Sequence, residues 1–313
     1  QVLPKIYDEV IRVLGSQKDN IVVLKTKDEL HDYITKVISI GEVAVDTETN
    51  NSTIPLSCKL VGACLYSPGL KQAYVPINHI DFKTNLRLVE QCSEQDLNNE
   101  FKRLIDNKVK IIMHNAKFDY SVIKCTCNVD LEAKWDTMIA AHLLNENEKS
   151  FGLKQLYIEK VNPLQEKYSL EKLFGDIPYE VVDPNMFAYY AATDSKMTYE
   201  LYKYQLDLMN ERGNKRVKWL FEEIEMPVIR VTAEMELRGL TVDLDFVDRL
   251  DNKFKKQLSA VDSGIADLLS SLKPLIDEWY SSKESYEPSI QFEPETNKNH
   301  DPKYDEYDSI SGN

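Results

Sequence analysis

The chain has no run approaching about 18 uninterrupted apolar residues, and its N-terminus carries neither a basic start nor an apolar signal core. Neither a membrane-spanning helix nor export is expected. Cysteine is scarce and odd in number: Cys58, Cys64, Cys92, Cys125 and Cys127 build no disulfide framework, and with five scattered histidines they offer no tetrahedral zinc set. The Cys125-Thr126-Cys127 pair reads as reduced structural thiols, and a reducing cytoplasm fits. Positive charge is also short, with 38 Lys and Arg against 52 Asp and Glu and a net charge of −14. That balance argues against a phosphate-binding surface spread over the whole chain. Its distribution weakens the objection, because residues 273–313 hold ten acids and four bases.

What is present suffices for a sizeable domain plus an appendage, since 42% of the 313 residues are hydrophobic. The chain starts at Gln1 without a Met and stops in Ser311-Gly312-Asn313, so it reads as a piece of a longer polypeptide. Residues 1–20 read as a linker containing an amphipathic stretch, Ile6 to Leu14. Ile21 to Leu24 reads as a strand, Asp28 to Ile38 as a helix and Glu42 to Asp46 as a second strand. Cys58 to Tyr66 and Gln72 to Ile77 are apolar runs around the turn signal Ser67-Pro68-Gly69 and predict a hairpin. Glu94 to Ile105 is helical, Lys110 to Met113 a short buried strand, and helices follow to about Met209. The alternation predicts an α/β fold, a mixed sheet with helices packed on it.

Glu222 to Glu236 has helical spacing and ends at Gly239. Asp243 can cap the next helix, an amphipathic rod running from Phe246 to Leu268. The acidic tail after Lys273 lacks periodicity and is expected to be loosely ordered.

The acids carry the chemistry. Asp46 and Glu48 lie at i and i+2 of the run that follows Val43-Ala44-Val45, so on a strand both carboxylates leave one face. Asn115 with Asp119, and Tyr190 with Asp194, are i, i+4 pairs that share a face on helices. Converging acids repel one another unless hard cations lie between them, and an all-oxygen set selects Mg²⁺ or Mn²⁺. The spacings recur in the tail, at Asn297/Asp301 and Tyr304/Asp308, where no apolar pattern supports them; those are coincidences.

The surroundings of these acids decide among readings. Asp46-Thr47-Glu48-Thr49, the Leu60-Val61-Gly62-Ala63-Cys64 to Ala73-Tyr74-Val75-Pro76-Ile77 hairpin, His114-Asn115-Ala116-Lys117-Phe118-Asp119, Asp136-Thr137-Met138 and Tyr190-Ala191-Ala192-Thr193-Asp194 occur in this order. Together they resemble the 3′-5′ proofreading exonuclease domain of family A (DNA polymerase I-type) DNA polymerases, over roughly residues 21–272. Glu225-Met226-Pro227 and Met235 to Asp243 are similar to the start of the polymerase portion.

The resemblance implies an RNase H-like, DnaQ-type exonuclease fold over residues 21–210, the helical base of the polymerase thumb over 211–272, and two Mg²⁺ or Mn²⁺ ions as cofactors. It further implies that Asp46 bridges both ions, Glu48 and Asp194 complete one of them, and Asp119 holds the other mainly through water. Tyr190 would orient the attacking water. Thr47, Asn115 and Leu170 would contact substrate, with Ser52 beside Leu170 at the terminal base and Ile54 or Leu56 as possible replacements. Asn115 also suits a helix cap, and Asp136 reads as an N-cap, His114 as a packed or capping histidine. Lys117 suits either phosphate or solvent.

The expected partners are a single-stranded or frayed DNA 3′ end and the remainder of a polymerase polypeptide, with no membrane and a monomeric state. No counterpart of the palm or fingers motifs is found, so DNA synthesis is not expected. An RNase D-like exoribonuclease, or an inactive exonuclease-like platform, are the alternatives.

Overall fold

Strand β1 (Ile21–Val23) leads through Thr26 into helix α2 (Lys27–Ile40), whose start is set by a reciprocal cap: the Thr26 hydroxyl accepts from Glu29 N–H while Glu29 accepts from Thr26 N–H. Gly41 ends it at φ 90°, a left-handed conformation that costs glycine little, and strand β2 (Glu42–Thr49) follows at once. The computed structural model describes residues 2–50, 54–164, 174 and 177–281. Strands β3 (Leu60–Tyr66), β4 (Gln72–Pro76), β5 (Lys110–Met113) and β6 (Trp135–Asp136) complete a six-stranded sheet in the order β1-β4-β3-β2-β5-β6. Neighbours β4, β3 and β2 are antiparallel; β1 against β4, β2 against β5 and β5 against β6 are parallel. This is the expected mixed sheet.

Alternation along β2 sorts its side chains. Val43 and Val45 enter the core with α2, α3 (Glu94–Asp106) and α4 (Ala116–Cys127), whereas Ala44 packs on the opposite face. That opposite face is covered by α7 (Pro184–Asn210), with α5 (Thr137–Leu144) and α6 (Leu153–Lys160) beside it. Asp46 and Glu48 therefore continue the face toward α7, and Thr47 the face toward α4. A register shift between Glu48 and Thr49 bends the strand at this end. Opposite Glu48 stands Gly62, where a Cβ would collide with the Tyr74 ring.

Two differences from the sequence expectations are physical. Residues 2–14 form α1, whose Val10 is buried in the cluster of Phe187 and Ala188 on α7, and the Tyr7 hydroxyl accepts from Asp183 N–H. The helix expected from Glu222 instead begins at Lys215 (α8, Lys215–Leu220) and passes through a π turn at Phe221–Glu225 into α9 (Met226–Arg238). The wider turn precedes Pro227, which has no N–H to give to the helix ladder.

The chain forms two compact units, residues 1–239 and 240–313. The described part of the second is led by α10 (Leu244–Ser281), started by Asp243 Oδ1 accepting from Phe246 N–H. It runs past Lys273 with Pro274 inside it, so ordered helix extends eight residues into the segment expected to be loose. Among the described residues no helix is long and apolar enough to cross a membrane.

Candidate active site

Thr47 ties two of the motifs together. Its N–H donates to Asp119 Oδ1 at 2.9 Å and its hydroxyl to the same oxygen at 2.6 Å, so the carboxylate of α4 is held against the middle of Asp46-Thr47-Glu48. From the other face α7 brings Tyr190 and Asp194, one helical turn apart. The start of α7 is set by Asp183, which accepts from Asn185 and Met186 N–H ahead of Pro184.

The start of α4 is held by Asp136, a buried carboxylate accepting from Asn115, Ala116, Met138 and Ile139 N–H. One side chain thus fixes the N-termini of α4 and α5, and the N-cap expectation for Asp136 understates it. Asn115 occupies the cap position of α4 at φ 63°, but its side chain makes no cap hydrogen bond and is exposed. His114 Nδ1 lies 2.7 Å from Thr137 Oγ1, and burial pushes its pKa down to about 4, so it is a neutral packed residue. Lys117 pairs with Glu236 at 2.6 Å. Ile54 and Leu56 are exposed, while Ser52, Leu170 and the tail pairs Asn297/Asp301 and Tyr304/Asp308 lie outside the described residues.

The carboxylates perturb one another. Burial, then the charges of Asp119, Glu48 and Asp194, push Asp46 well above the usual carboxylate range. Glu48 is raised by burial and by Asp194, and Asp119 is raised by burial although both Thr47 bonds oppose the rise. Asp194 is raised by burial, and its Oδ1 is buried with no hydrogen-bond partner. Two buried acids, Glu48 and Asp119, with two partly buried ones, Asp46 and Asp194, all with raised pKa and one with an orphaned oxygen, fit a hard divalent cation bound through oxygen.

The Cys64 thiol, paired with Asp46 across β2 and β3, lies within 4.8 Å of ligand atoms of Asp46 and Glu48. Burial and the surrounding acids push its pKa up, so it stays a thiol and adds no thiolate ligand. Tyr190 is buried among Phe174 and Phe187, and burial and Asp194 push its phenol up as well. A phenol so raised is no base at neutral pH.

One basic residue joins the cluster that motif reading had not singled out. Lys154, in the first turn of α6, places Nζ 3.1 Å from Asp194 Oδ2, donates to the Tyr190 hydroxyl and lies 3.8 Å from the centre of the Tyr190 ring. A lone lysine after Gly152-Leu153 has no spacing that marks it in sequence. Behind the acids, Tyr74 donates to His79 Nε2 at 2.7 Å, and His79 Nδ1 donates to the Val182 carbonyl at 2.9 Å.

A family model described as 3′-5′ exonuclease, of the A-type DNA polymerases, matches residues 21–209. DNA polymerase I of Borreliella burgdorferi is 29% identical over 252 residues, covering 77% of this chain and 25% of the relative. DNA polymerase I of Treponema pallidum is 27% identical over 280 residues, covering 77% and 27%. The chain thus spans about a quarter of the length of these curated relatives. Among solved structures, the POL domain of Pol1 from M. smegmatis, in complex with DNA primer-template and dNTP, shares the fold. That likeness has a TM-score of 0.53 at 18% identity and covers 76% of this chain and 36% of that one. The motifs, the sheet order and the family match agree, and the chain belongs to the 3′-5′ exonuclease domains of family A DNA polymerases.

Proposed function

We propose that residues 21–210 act as a two-metal 3′-5′ exonuclease that removes nucleoside 5′-monophosphates from DNA 3′ ends, the proofreading module of a longer polymerase into which residues 211–272 lead. The observation that carries this reading is the convergence of Asp46, Glu48, Asp119 and Asp194, where the charges of Asp119 and Asp194 add to burial in raising Asp46 and Glu48, and Asp194 Oδ1 is buried with no hydrogen-bond partner. Asp46, Glu48, Asp119 and Asp194 would hold two Mg²⁺ or Mn²⁺ ions, which when bound activate water and stabilise the departing 3′ oxygen.

The chain's own residues do the remaining work. Thr47 fixes the Asp119 carboxylate by donating both its own N–H and its own hydroxyl to Oδ1. Tyr190 keeps its proton and orients the attacking water by hydrogen bonding. Asn115, exposed beside α4 with no cap bond to satisfy, is available to the terminal nucleotide. A mismatched end costs less to unpair than a matched one, so it reaches such a site more often.

The test is degradation of 5′-labelled single-stranded DNA, matched duplex and RNA of the same sequence in Mn²⁺, with and without EDTA. Stepwise shortening from the 3′ end, fastest on single-stranded DNA and abolished by chelator, is expected. Release from the 5′ end, undiminished activity in excess EDTA or faster cleavage of RNA overturns the reading.

A further inference from the structure

Helix α6 begins badly by local standards. Gly152 caps it without a side-chain hydrogen bond, and a cation, Lys154, occupies its first turn, where the helix dipole disfavours positive charge. Its side chain is nonetheless 17% exposed and turned toward Asp194, at 14%. A lysine ammonium so placed owes its position to the acids rather than to its own helix. It contacts Asp194 Oδ2, donates to the Tyr190 hydroxyl, and its charge opposes the mutual repulsion felt at Asp46 and Glu48.

We propose that Lys154 is the built-in cation of this site: it neutralises part of the acidic cluster when no divalent ion is bound, opposes the entry of the ions, and sets the direction of the Tyr190 hydroxyl. The proposal rests on the metal-binding reading above. Two consequences have opposite signs, which separates them from a packing role. A residue that merely holds the fold together weakens every function when it is removed. Removing a like charge from beside the ligands instead strengthens cation binding while it loosens Tyr190. Lys154 is thus a positioning residue for Tyr190 and a competitor for Asp194.

The experiment uses the full chain and compares it with Lys154→Met and Lys154→Arg. Mn²⁺ binding is followed by calorimetry at pH 8.5, melting in EDTA by circular dichroism, and single-turnover cleavage of 3′-terminal single-stranded DNA at saturating Mn²⁺. Lys154→Met is expected to bind Mn²⁺ about tenfold more tightly, to melt several degrees lower in EDTA, and to cleave about ten- to a hundredfold more slowly. Lys154→Arg keeps the charge and should return Mn²⁺ affinity to within about twofold of the unsubstituted chain. If Lys154→Met does not fold, Lys154→Gln carries the same expectation for Mn²⁺. Unchanged or weaker Mn²⁺ binding in the neutral variants, with normal binding in the unsubstituted chain, overturns the proposal and leaves the metal site standing. No Mn²⁺ binding by the unsubstituted chain overturns the metal site itself and this proposal with it.

Discussion

Strand β2 and helix α10 are both strongly patterned in sequence, yet they meet opposite fates. Every apolar side chain of Val43-Ala44-Val45 is fully buried, and Thr47 just after them is held by Asp119 of α4. On α10, Phe246, Phe254, Leu258, Val261 and Ile265 recur at helical spacing with equal regularity, and all are between 50% and 62% exposed. Periodicity specifies which face of an element is apolar; it does not say what covers that face. In the body the sheet supplies the cover, so acids placed among the apolar residues become costly and hence informative. Along α10 charge is cheap, and the same residue types carry no message.

The contrast predicts that function collapses only where charge is confined. Asp46→Ala is the strongest perturbation, because Asp46 feels Asp119, Glu48 and Asp194 at once and, in the proposed two-metal reading, would contact both ions. Single-turnover cleavage at saturating Mn²⁺ should fall by on the order of three decades. Asp251→Ala on α10, which removes an exposed carboxylate paired with Lys255, should leave the rate within about twofold. Equal losses in the two variants would break the comparison.

Confinement also has a pH signature. In the metal-free chain burial raises Glu48 to about 8 and Asp119 to about 7. Both folded-state values lie above the unfolded carboxylate range near about 4, so the unfolded chain gives up these protons first. Their contribution to stability is complete below that range and is lost as pH rises through about 7 to 8. Melting in EDTA should therefore fall between pH 5 and 8.5 by several degrees. Saturating Mn²⁺ should remove most of the fall, since the bound ions take the place of the protons. A metal-free melting temperature that rises across this window would show that the acids are not confined together.

How much of this was legible follows the same division. The sheet, the hairpin and the helices around the site could be read because apolar alternation and turn residues agree with burial there. The pairing of Asp46 with Glu48 could be read because period two on a strand leaves no freedom in side-chain direction. Lys154 could not: its partner Asp194 is 40 residues away, and nothing in local spacing separates it from the other lysines. Nor could the double duty of Asp136, since a cap residue is recognised by the helix that follows it, while Asn115 and Ala116 precede it by about 20 residues. The helical course of 274–281 was hidden by Pro274, which breaks the pattern without breaking the helix.

A smaller effect on rate is expected from Tyr190→Phe. The substitution deletes the hydroxyl that accepts from Lys154 and, in the proposed function, would orient water, yet leaves the ring among Phe174 and Phe187 and all four carboxylates in place. A loss of roughly ten- to a hundredfold in single-turnover cleavage, with Mn²⁺ affinity nearly unchanged, fits a positioning group. A larger loss than that of Asp46→Ala would mean the phenol does chemistry that its raised pKa forbids at neutral pH.

The smallest effect sharpens the opening contrast most. Leu65 on β3 is fully buried and Leu258 on α10 is 62% exposed, so the same truncation probes cover directly. Leu65→Ala removes atoms from a packed interior and should cost about 2–5 kcal/mol, read from urea unfolding of the first unit. Leu258→Ala removes atoms already largely in water, and alanine is at least as good a helix former as leucine, so its effect should stay within about 0.5 kcal/mol. A cost above about 1 kcal/mol at Leu258 would require that a surface covers this face in solution, and the pattern on α10 would then have to be read as an interface rather than as an open helix.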